Sequence, residues 1–287
     1  MSKEIDAPWV RLELTSRPEA ARLVRSMSSA AGEALGFDPE LLADVNTAVT
    51  EACNNVILHA YGDRVGPMAV EISARPEGVQ ARICDQGCGI HRTGPDHDGL
   101  KVGLTLMSAV ADRAEFITVP DGGTEVRLFF RTPAGDPPGS RPTGREASDG
   151  SSAWQAELHS GLTGDVVLTV SPVTLLAPVL GRIGRALAPS AGFSLQGCSD
   201  VYTLSDALAA HAERTAESTS ISVALGARRH RLDFALAPLR EGTSAQWEQA
   251  GSPQRGDTLT ALGEDLAFSA ADGHETLRLS MVDHLRG

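Results

Sequence analysis

The chain has 287 residues, 41% of them hydrophobic and 22% charged, which is enough for two globular domains with cores of their own. Its net charge of −12 argues against nucleic acid as the main partner, and no apolar run approaches the roughly 18 residues that span a bilayer. The four cysteines form no C-x-x-C pair and the N-terminus has no signal-peptide pattern, so we expect reduced thiols and a cytoplasmic location.

Hydrophobic periodicity in the first half predicts an ordered series of strands and helices. Gly36 ends the first predicted helix, and Asp38 with Pro39 begins the second as N-cap and first helical residue. The predicted order is β-α-α-β-β-α-β-β, with strands at 9–14, 68–74, 79–84, 114–119 and 124–131 and helices at 18–35, from 38 onward and at 102–111. This order predicts a two-layer α/β sandwich over residues 9–131, in which helices cover one face of a mixed sheet.

The clearest domain boundary is a segment rich in proline, glycine and serine at residues 132–152, which we interpret as a flexible linker. After it, landmarks of the first half recur in the same order. Gly36-Phe37 is echoed by Gly192-Phe193, and Asp44-Val45 by Asp200-Val201. We therefore expect residues 153–287 to form a second domain that repeats the first fold, with chance similarity as the alternative.

One polar cluster lies on the second predicted helix. Glu51, Asn55 and His59 are spaced four residues apart, which predicts that they share one helix face. A carboxylate beside an amide oxygen suits Mg²⁺, which takes few protein ligands and keeps phosphate oxygens and waters. The alternative is a solvated polar stripe on an amphipathic helix.

Three glycine-rich segments follow, and each has an ordinary structural explanation as well as a functional one. Asp85, Gly87 and Gly89 come directly after a strand, where glycine permits close backbone approach to a ligand and Asp85 could accept a hydrogen bond from an exocyclic amine. They could equally form a turn. The segment with Lys101, Gly103 and Leu104 lies at a helix start, which favours phosphate. The last segment, Gly122-Gly123-Thr124, could simply be a hairpin turn.

Taken in order, these motifs resemble the Bergerat-type (GHKL) ATP-binding fold shared by histidine kinases, type II topoisomerases and bacterial anti-sigma-factor serine kinases. The similarity is strongest to the last group, in TEACNNVILHAYG, ICDQGCGI, VGLTLM and GGTEVRL, and it covers residues 9–131. The resemblance implies ATP and Mg²⁺ as cofactors, Asn55 as the magnesium ligand and Glu51 as the general base. It also implies that Asp85 reads adenine with support from Thr124 through water. The remaining implied ATP-binding residues are Asn54, Gly87, Gly89, Lys101, Gly103 and Leu104.

The resemblance further implies a serine-protein kinase that phosphorylates a STAS-domain antagonist and controls a sigma factor, and thereby transcription, by partner switching. Two features depart from the family pattern: the lid between Ile90 and Val102 is short, and Lys101 stands where a glycine is usual. A non-catalytic module that binds ATP and sequesters a partner is therefore the alternative. Neither reading involves direct contact with nucleic acid or a membrane.

The second half lacks the corresponding site residues. In the register of the repeat, Glu51 corresponds to Ala207, Asn54 to Ala210 and Asn55 to His211, and no D-x-G-x-G segment follows the matching strand. We therefore expect a degenerate copy without a nucleotide site. Such a copy could form an intramolecular pseudo-dimer with the first domain, and a homodimer is the other arrangement left open.

Overall fold

In the computed structural model, two structural units divide the chain, residues 1–159 and 160–287. The structure describes residues 8–89, 98–119, 122–132, 162–249 and 258–284, without the side chains of residues 98–102, 248 and 249. The predicted linker therefore lies outside the described residues, except for Thr132. Among the described residues, no helix combines the length and the apolar character needed to cross a bilayer.

The described part of the first domain contains five strands and three α-helices. The strands are β1 (Val10–Thr15), β2 (Pro67–Arg75), β3 (Gly78–Asp85), β4 (Arg113–Thr118) and β5 (Thr124–Arg131). The helices are α1 (Ala20–Ala34), α2 (Pro39–Asn55) and α3 (Asp98–Val110), and a π-helix (Val56–Ala60) continues directly from α2. The sheet order is β4-β5-β3-β2-β1.

The predicted α/β fold class is confirmed, but the prediction of a mixed sheet is wrong. Every neighbouring pair of described strands in the first domain is antiparallel, because β2 and β3 are joined by a hairpin and β5 pairs with both β3 and β4. Alternation along these strands gives one apolar face, which includes Leu12, Val70, Ile83 and Leu128, all almost fully buried. Asp85 and Thr124 lie on this same face, at the ends of their strands.

Local sequence signals explain where α2 begins. The side chain of Asp38 accepts hydrogen bonds from the backbone amides of Glu40 (3.0 Å) and Leu41 (2.9 Å), and Pro39 is the first helical residue. Gly36, just before, has a φ of +75°, a conformation that glycine adopts readily. Helix α3 begins at Asp98, four residues earlier than the sequence predicts.

The second domain has the same order of strands. Its strands are β6 (Val166–Val170), β7 (Ile221–Arg228), β8 (Arg231–Leu239), β9 (Glu264–Ala271) and β10 (His274–Val282). They pair in the order β9-β10-β8-β7-β6, again antiparallel throughout. The helical elements are a 3₁₀ turn (Val173–Leu175), α4 (Leu176–Leu187), α5 (Leu195–Thr215), α6 (Thr243–Gln249) and α7 (Thr258–Leu262).

The beginnings of α2 and α5 correspond residue by residue. Ser194 is the N-cap of α5 and accepts a hydrogen bond from the amide of Gly197 at 3.0 Å, as Asp38 caps α2. Gly192 precedes it with a φ of +78°, at the same distance before the cap as Gly36. Strand order and helix start therefore both agree with the repeat read from the sequence.

Candidate functional site

Two of the predicted site residues meet a third on the neighbouring helix. Glu51 and Asn55 are one turn apart on α2, and Gly103 of α3 lies against both. A Cβ atom at position 103 would be 2.6 Å from Oε1 of Glu51 and 3.1 Å from Oδ1 of Asn55. A side chain at position 103 would therefore force the ends of these two polar side chains to shift. The carboxylate and amide form one cluster, which fits the predicted Mg²⁺ site.

The helix changes form directly after this cluster. From Val56 to Ala60 it is a π-helix, whose turn contains more residues than an α-helical turn. The α-helical spacing from which we predict a shared face for Glu51, Asn55 and His59 therefore ends at Asn55, and the placement of His59 on that face stays a prediction. The backbone carbonyl of His59 accepts a hydrogen bond from the Cys88 thiol, with its oxygen 3.7 Å from Sγ.

Asp85 is a buried carboxylate at the end of β3, only 3% exposed. Its Oδ1 atom accepts hydrogen bonds from the backbone amides of Gly87 (2.8 Å) and Thr124 (3.3 Å), and the Thr124 hydroxyl also bonds to the carboxyl group. Thr124 thus supports Asp85 directly. Burial raises the pKa of Asp85, and these hydrogen bonds offset the rise only in part. Since an ionised carboxylate accepts about four hydrogen bonds, capacity remains for a donor from a ligand.

Two glycines of the predicted nucleotide site, Gly87 and Gly123, are packed against backbone. A Cβ atom at Gly87 would lie 2.2 Å from the carbonyl oxygen of Ala60, and one at Gly123 would lie 2.1 Å from that of Asp85. Gly89 has a φ of +73°. The close contacts explain the glycines at 87 and 123, where the loop after β3, the end of the π-helix and the start of β5 approach one another, and the positive φ explains the glycine at 89.

The structure gives fewer contacts for the other predicted site residues. Asn54 is half-buried on α2, turned about 100° around the helix axis from Asn55. Leu104 is half-buried on α3. Lys101 lies in the same helix, but its side chain is outside the described part of the chain, as is most of the predicted lid.

Ion pairs on the opposite face of the sheet brace the strands that carry the site. Glu125, fully buried, accepts from Nε of Arg82 (2.7 Å) and of Arg127 (2.6 Å), while Glu71 accepts from Arg82 and Arg11. Burial alone would raise the pKa of Glu125, but the hydrogen bonds and charges of the two arginines outweigh it and hold the pKa below its ordinary value. The network links β1, β2, β3 and β5 side by side.

A surface groove of about 540 Å³ runs along α2 and ends at Glu51. Its lining combines apolar and polar side chains: Arg25, Pro39, Leu42, Ala43, Asn46, Thr47, Thr50, Glu51 and Leu106. No sequence pattern predicts this groove, because it depends on how three helices pack.

The second domain fills the corresponding positions with its own groups. His211, which the register of the repeat aligns with Asn55, is buried and meets the Trp247 ring edge-on at a centroid distance of 5.5 Å, with Phe268 beside both rings. After β8, the amides of Gly242 (2.9 Å) and Ser244 (2.7 Å) donate to the buried carboxylate of Glu275.

Tyr61 is the contact residue that sequence reasoning missed. Its hydroxyl oxygen accepts a hydrogen bond from the backbone amide of Gln86 at 2.7 Å, next to Asp85. The only sequence signal is its position just after the helix that carries Glu51 and Asn55.

Comparison with known proteins places the first domain in context. A family model described as a histidine kinase-like ATPase domain matches residues 14–130. The anti-sigma F factor of Caldanaerobacter subterraneus subsp. tengcongensis is 26% identical over 129 residues, which cover 42% of this chain and 90% of the relative. The anti-sigma F factor of Pasteuria penetrans is 28% identical over 137 residues, 44% of this chain and 91% of the relative. The serine-protein kinase RsbW of Bacillus licheniformis is 26% identical over 121 residues, 37% of this chain and 76% of the relative.

Proposed function

We propose that the first domain belongs to the histidine kinase-like ATPase family and is related to its anti-sigma-factor kinases. From this premise, the domain binds ATP with Mg²⁺ and phosphorylates a serine of a STAS-domain antagonist. A sigma factor would be its second partner, held or released according to the nucleotide bound. This partner switching would take place in the cytoplasm and would regulate transcription.

The observation that carries the proposal is the buried carboxylate of Asp85 on the helix-facing side of the sheet. A buried carboxylate is costly unless it is hydrogen-bonded, and the chain supplies donors from Gly87 and Thr124 without using its full capacity. An exocyclic amine is a suitable remaining donor, because it would also favour the ionised form that burial penalises. This supports an adenine base at Asp85.

The cluster of Glu51, Asn55 and Gly103 supports the phosphate end of the site. Asn55 would hold Mg²⁺ through its amide oxygen, and Glu51 would accept the proton of the attacking serine hydroxyl. When bound, Mg-ATP supplies the phosphoryl group and the charge that neutralises it. The groove that ends at Glu51 gives an acceptor segment a route to this carboxylate.

A non-catalytic ATP-binding module is the second candidate. The short segment between Ile90 and Val102 favours it, since a short lid closes the site less completely over the phosphates. Under this alternative the domain would sequester a partner in the ATP-bound state without transfer. Asp85 and Asn55 would keep their roles, while Glu51 would have none in proton transfer.

We also propose that the second domain is a degenerate copy of the first. The shared strand order supports this, together with the matching helix starts at Asp38 and Ser194. Ala207 and His211 replace the base and the magnesium ligand, so a single ATP should bind per chain. A titration that finds two would overturn this part of the proposal.

The decisive experiment measures phosphotransfer by intact mass. The chain is incubated with Mg-ATP and each STAS-domain protein encoded near its gene, and the antagonist is expected to gain one phosphate. The Glu51→Gln variant should bind ATP with unchanged affinity and lose transfer by roughly 10²- to 10⁴-fold. ATP binding without transfer to any of these proteins would favour the non-catalytic module, and no ATP binding at all would refute both.

A further inference from the structure

The end of the π-helix contacts the loop Asp85–Gly89 at several points. The carbonyl oxygen of Ala60 accepts a hydrogen bond from the amide of Cys88 at 2.9 Å, and Gly87 packs so closely on that carbonyl that no Cβ atom would fit. The helix that carries Asn55 therefore continues directly into the contact surface of the loop. This continuity links the proposed magnesium end of the site to the proposed adenine end.

Tyr61 makes the contact that lies nearest to Asp85. Its hydroxyl accepts from the amide of Gln86 at 2.7 Å and donates to the carbonyl of Pro67 at 2.5 Å. The hydroxyl thus bridges the loop to the start of β2. Burial raises the pKa of Tyr61 to about 12, so the hydroxyl keeps its proton and both hydrogen bonds throughout the neutral range.

The ring of Tyr61 is itself held in place by the backbone. A Cβ atom at Gly66 would lie 2.1 Å from Cε1 of the tyrosine, so the ring packs directly against that glycine. Two hydrogen bonds with Ser16 hold Gly66 in turn. The Ser16 hydroxyl accepts a hydrogen bond from the Gly66 amide at 3.0 Å, and the Ser16 amide donates one to the Gly66 carbonyl at 2.8 Å. The hydroxyl therefore has a defined position that does not depend on the loop.

We infer that Tyr61 is a positioning residue that sets the place of Asp85 through the amide of Gln86 and so determines the preference of the site for adenine over guanine. The inference rests on the proposed ATP site. Displacement of a hydrogen-bonding group by a fraction of an ångström weakens a directional contact strongly and a non-directional one little. Loss of the tyrosine hydroxyl should therefore reduce base discrimination more than phosphate binding.

The test compares the only two tyrosines of the chain. Tyr61→Phe keeps the ring against Gly66 and removes the hydroxyl, and Tyr202→Phe, on α5 and 42% exposed, is the matched control. Affinities for ATP and GTP are measured on the full chain by competition with a fluorescent ATP analogue. We expect Tyr61→Phe to bind ATP about tenfold more weakly and GTP within about twofold of the wild type, so that the ATP preference shrinks about tenfold. The ratio of ATP affinities with Mg²⁺ and with EDTA should not change.

Hydrogen exchange supplies a reading that needs no nucleotide. The Gln86 amide should exchange at least about fivefold faster in Tyr61→Phe than in the wild type or in Tyr202→Phe, because it loses its acceptor. If the ratio of ATP affinity to GTP affinity in Tyr61→Phe equals that of the wild type, the inference is overturned. An equal loss of affinity for both nucleotides is one such result. A merely structural role would lower the unfolding temperature without changing that ratio. Failure of the wild-type chain to bind ATP would instead overturn the proposed function, on which the inference depends.

Discussion

Each domain has a buried carboxylate beside the loop that follows its third strand. The carboxylate comes from a different strand in each domain. In the first domain, Asp85 belongs to the end of β3 and accepts from Thr124 of β5. In the second, Glu275 belongs to β10, the counterpart of β5, and accepts from Gly242 and Ser244 after β8, the counterpart of β3. Identical strand order therefore does not imply an equivalent site.

Each of the two carboxylates accepts from two backbone amides and one hydroxyl, but their pKa values shift in opposite directions. The Ser244 hydroxyl adds a further hydrogen bond to Glu275, and all its donors surround the first turn of α6. Burial would raise the pKa of Glu275, but these donors outweigh it and lower the pKa, whereas the pKa of Asp85 stays raised. Glu275 is a satisfied structural group. Asp85 is held in a less favourable ionised state that an added donor would relieve, as expected of a binding residue.

The largest effect is expected from removal of the Asp85 charge. Asp85→Asn keeps an acceptor for Gly87 and Thr124 but presents an amide to the adenine amine, so ATP affinity should fall roughly 10- to 100-fold in isothermal titration. Glu275→Gln, the matched change in the second domain, should leave that affinity within about twofold. Comparable losses in both variants would contradict the assignment of the site to the first domain alone.

The same substitution tests the pKa of Asp85. A carboxyl group whose pKa is raised in the folded state binds its proton more tightly when folded, so stability falls as pH rises from about 3.9, the unfolded value, through the folded pKa. At neutral pH, Asp85→Asn should therefore unfold at the same or a higher temperature than the wild type. Lower thermal stability together with weaker binding would indicate a structural carboxylate instead.

A smaller effect is expected at Gly103. Alanine favours a helix interior over glycine by roughly 1 kcal/mol, yet its Cβ atom would displace the Glu51 and Asn55 side chains. Gly103→Ala should keep the unfolding temperature and lower ATP affinity about tenfold in Mg²⁺, with a smaller loss in EDTA. Ser108→Ala, exposed on the same helix, is the control. Unchanged Mg²⁺-dependent binding would remove Asn55 from the proposed magnesium site.

How much the sequence predicted follows from the range of the forces involved. The bounds of β5 and the start of α2 at Asp38 follow from local alternation and capping, and the structure shows both where the sequence indicates them. The π-helix could not be predicted, since it is stabilised by contact of Ala60 with Gly87 and Cys88, distant in the chain. The assumption that α-helical spacing continued to His59 failed for that reason.

The site shows the same division between short and long range. Glycine-rich motifs marked the loop that follows Asp85 and the helix that carries Gly103, because glycine is favoured where other groups approach the backbone closely. Nothing in the pattern of β10 marked Glu275, since a glutamate at a strand end is ordinarily solvated. Its role depends on a loop that lies about thirty residues earlier in the chain. The binding roles of the motif residues stay predictions.

The smallest effect is expected from loss of the Glu275 charge. In Glu275→Gln, the glutamine side chain keeps one oxygen that accepts from the amides of Gly242 and Ser244, but the negative charge is lost. This change should lower the free energy of unfolding by about 1–2 kcal/mol. Urea denaturation followed by tryptophan fluorescence, to which Trp247 on α6 contributes together with the two other tryptophans of the chain, measures this change.

The pH dependence of this stabilisation has a definite sign. Because the pKa of Glu275 is lowered on folding, its stabilising contribution is present above about pH 4.3, the unfolded value, and is lost as the pH falls through the folded pKa. Near neutral pH the difference in stability between wild type and Glu275→Gln should be constant, and it should shrink in acid. A difference that grew on acidification would mean that the carboxylate is not the group that holds α6, and the contrast with Asp85 would then have no electrostatic basis.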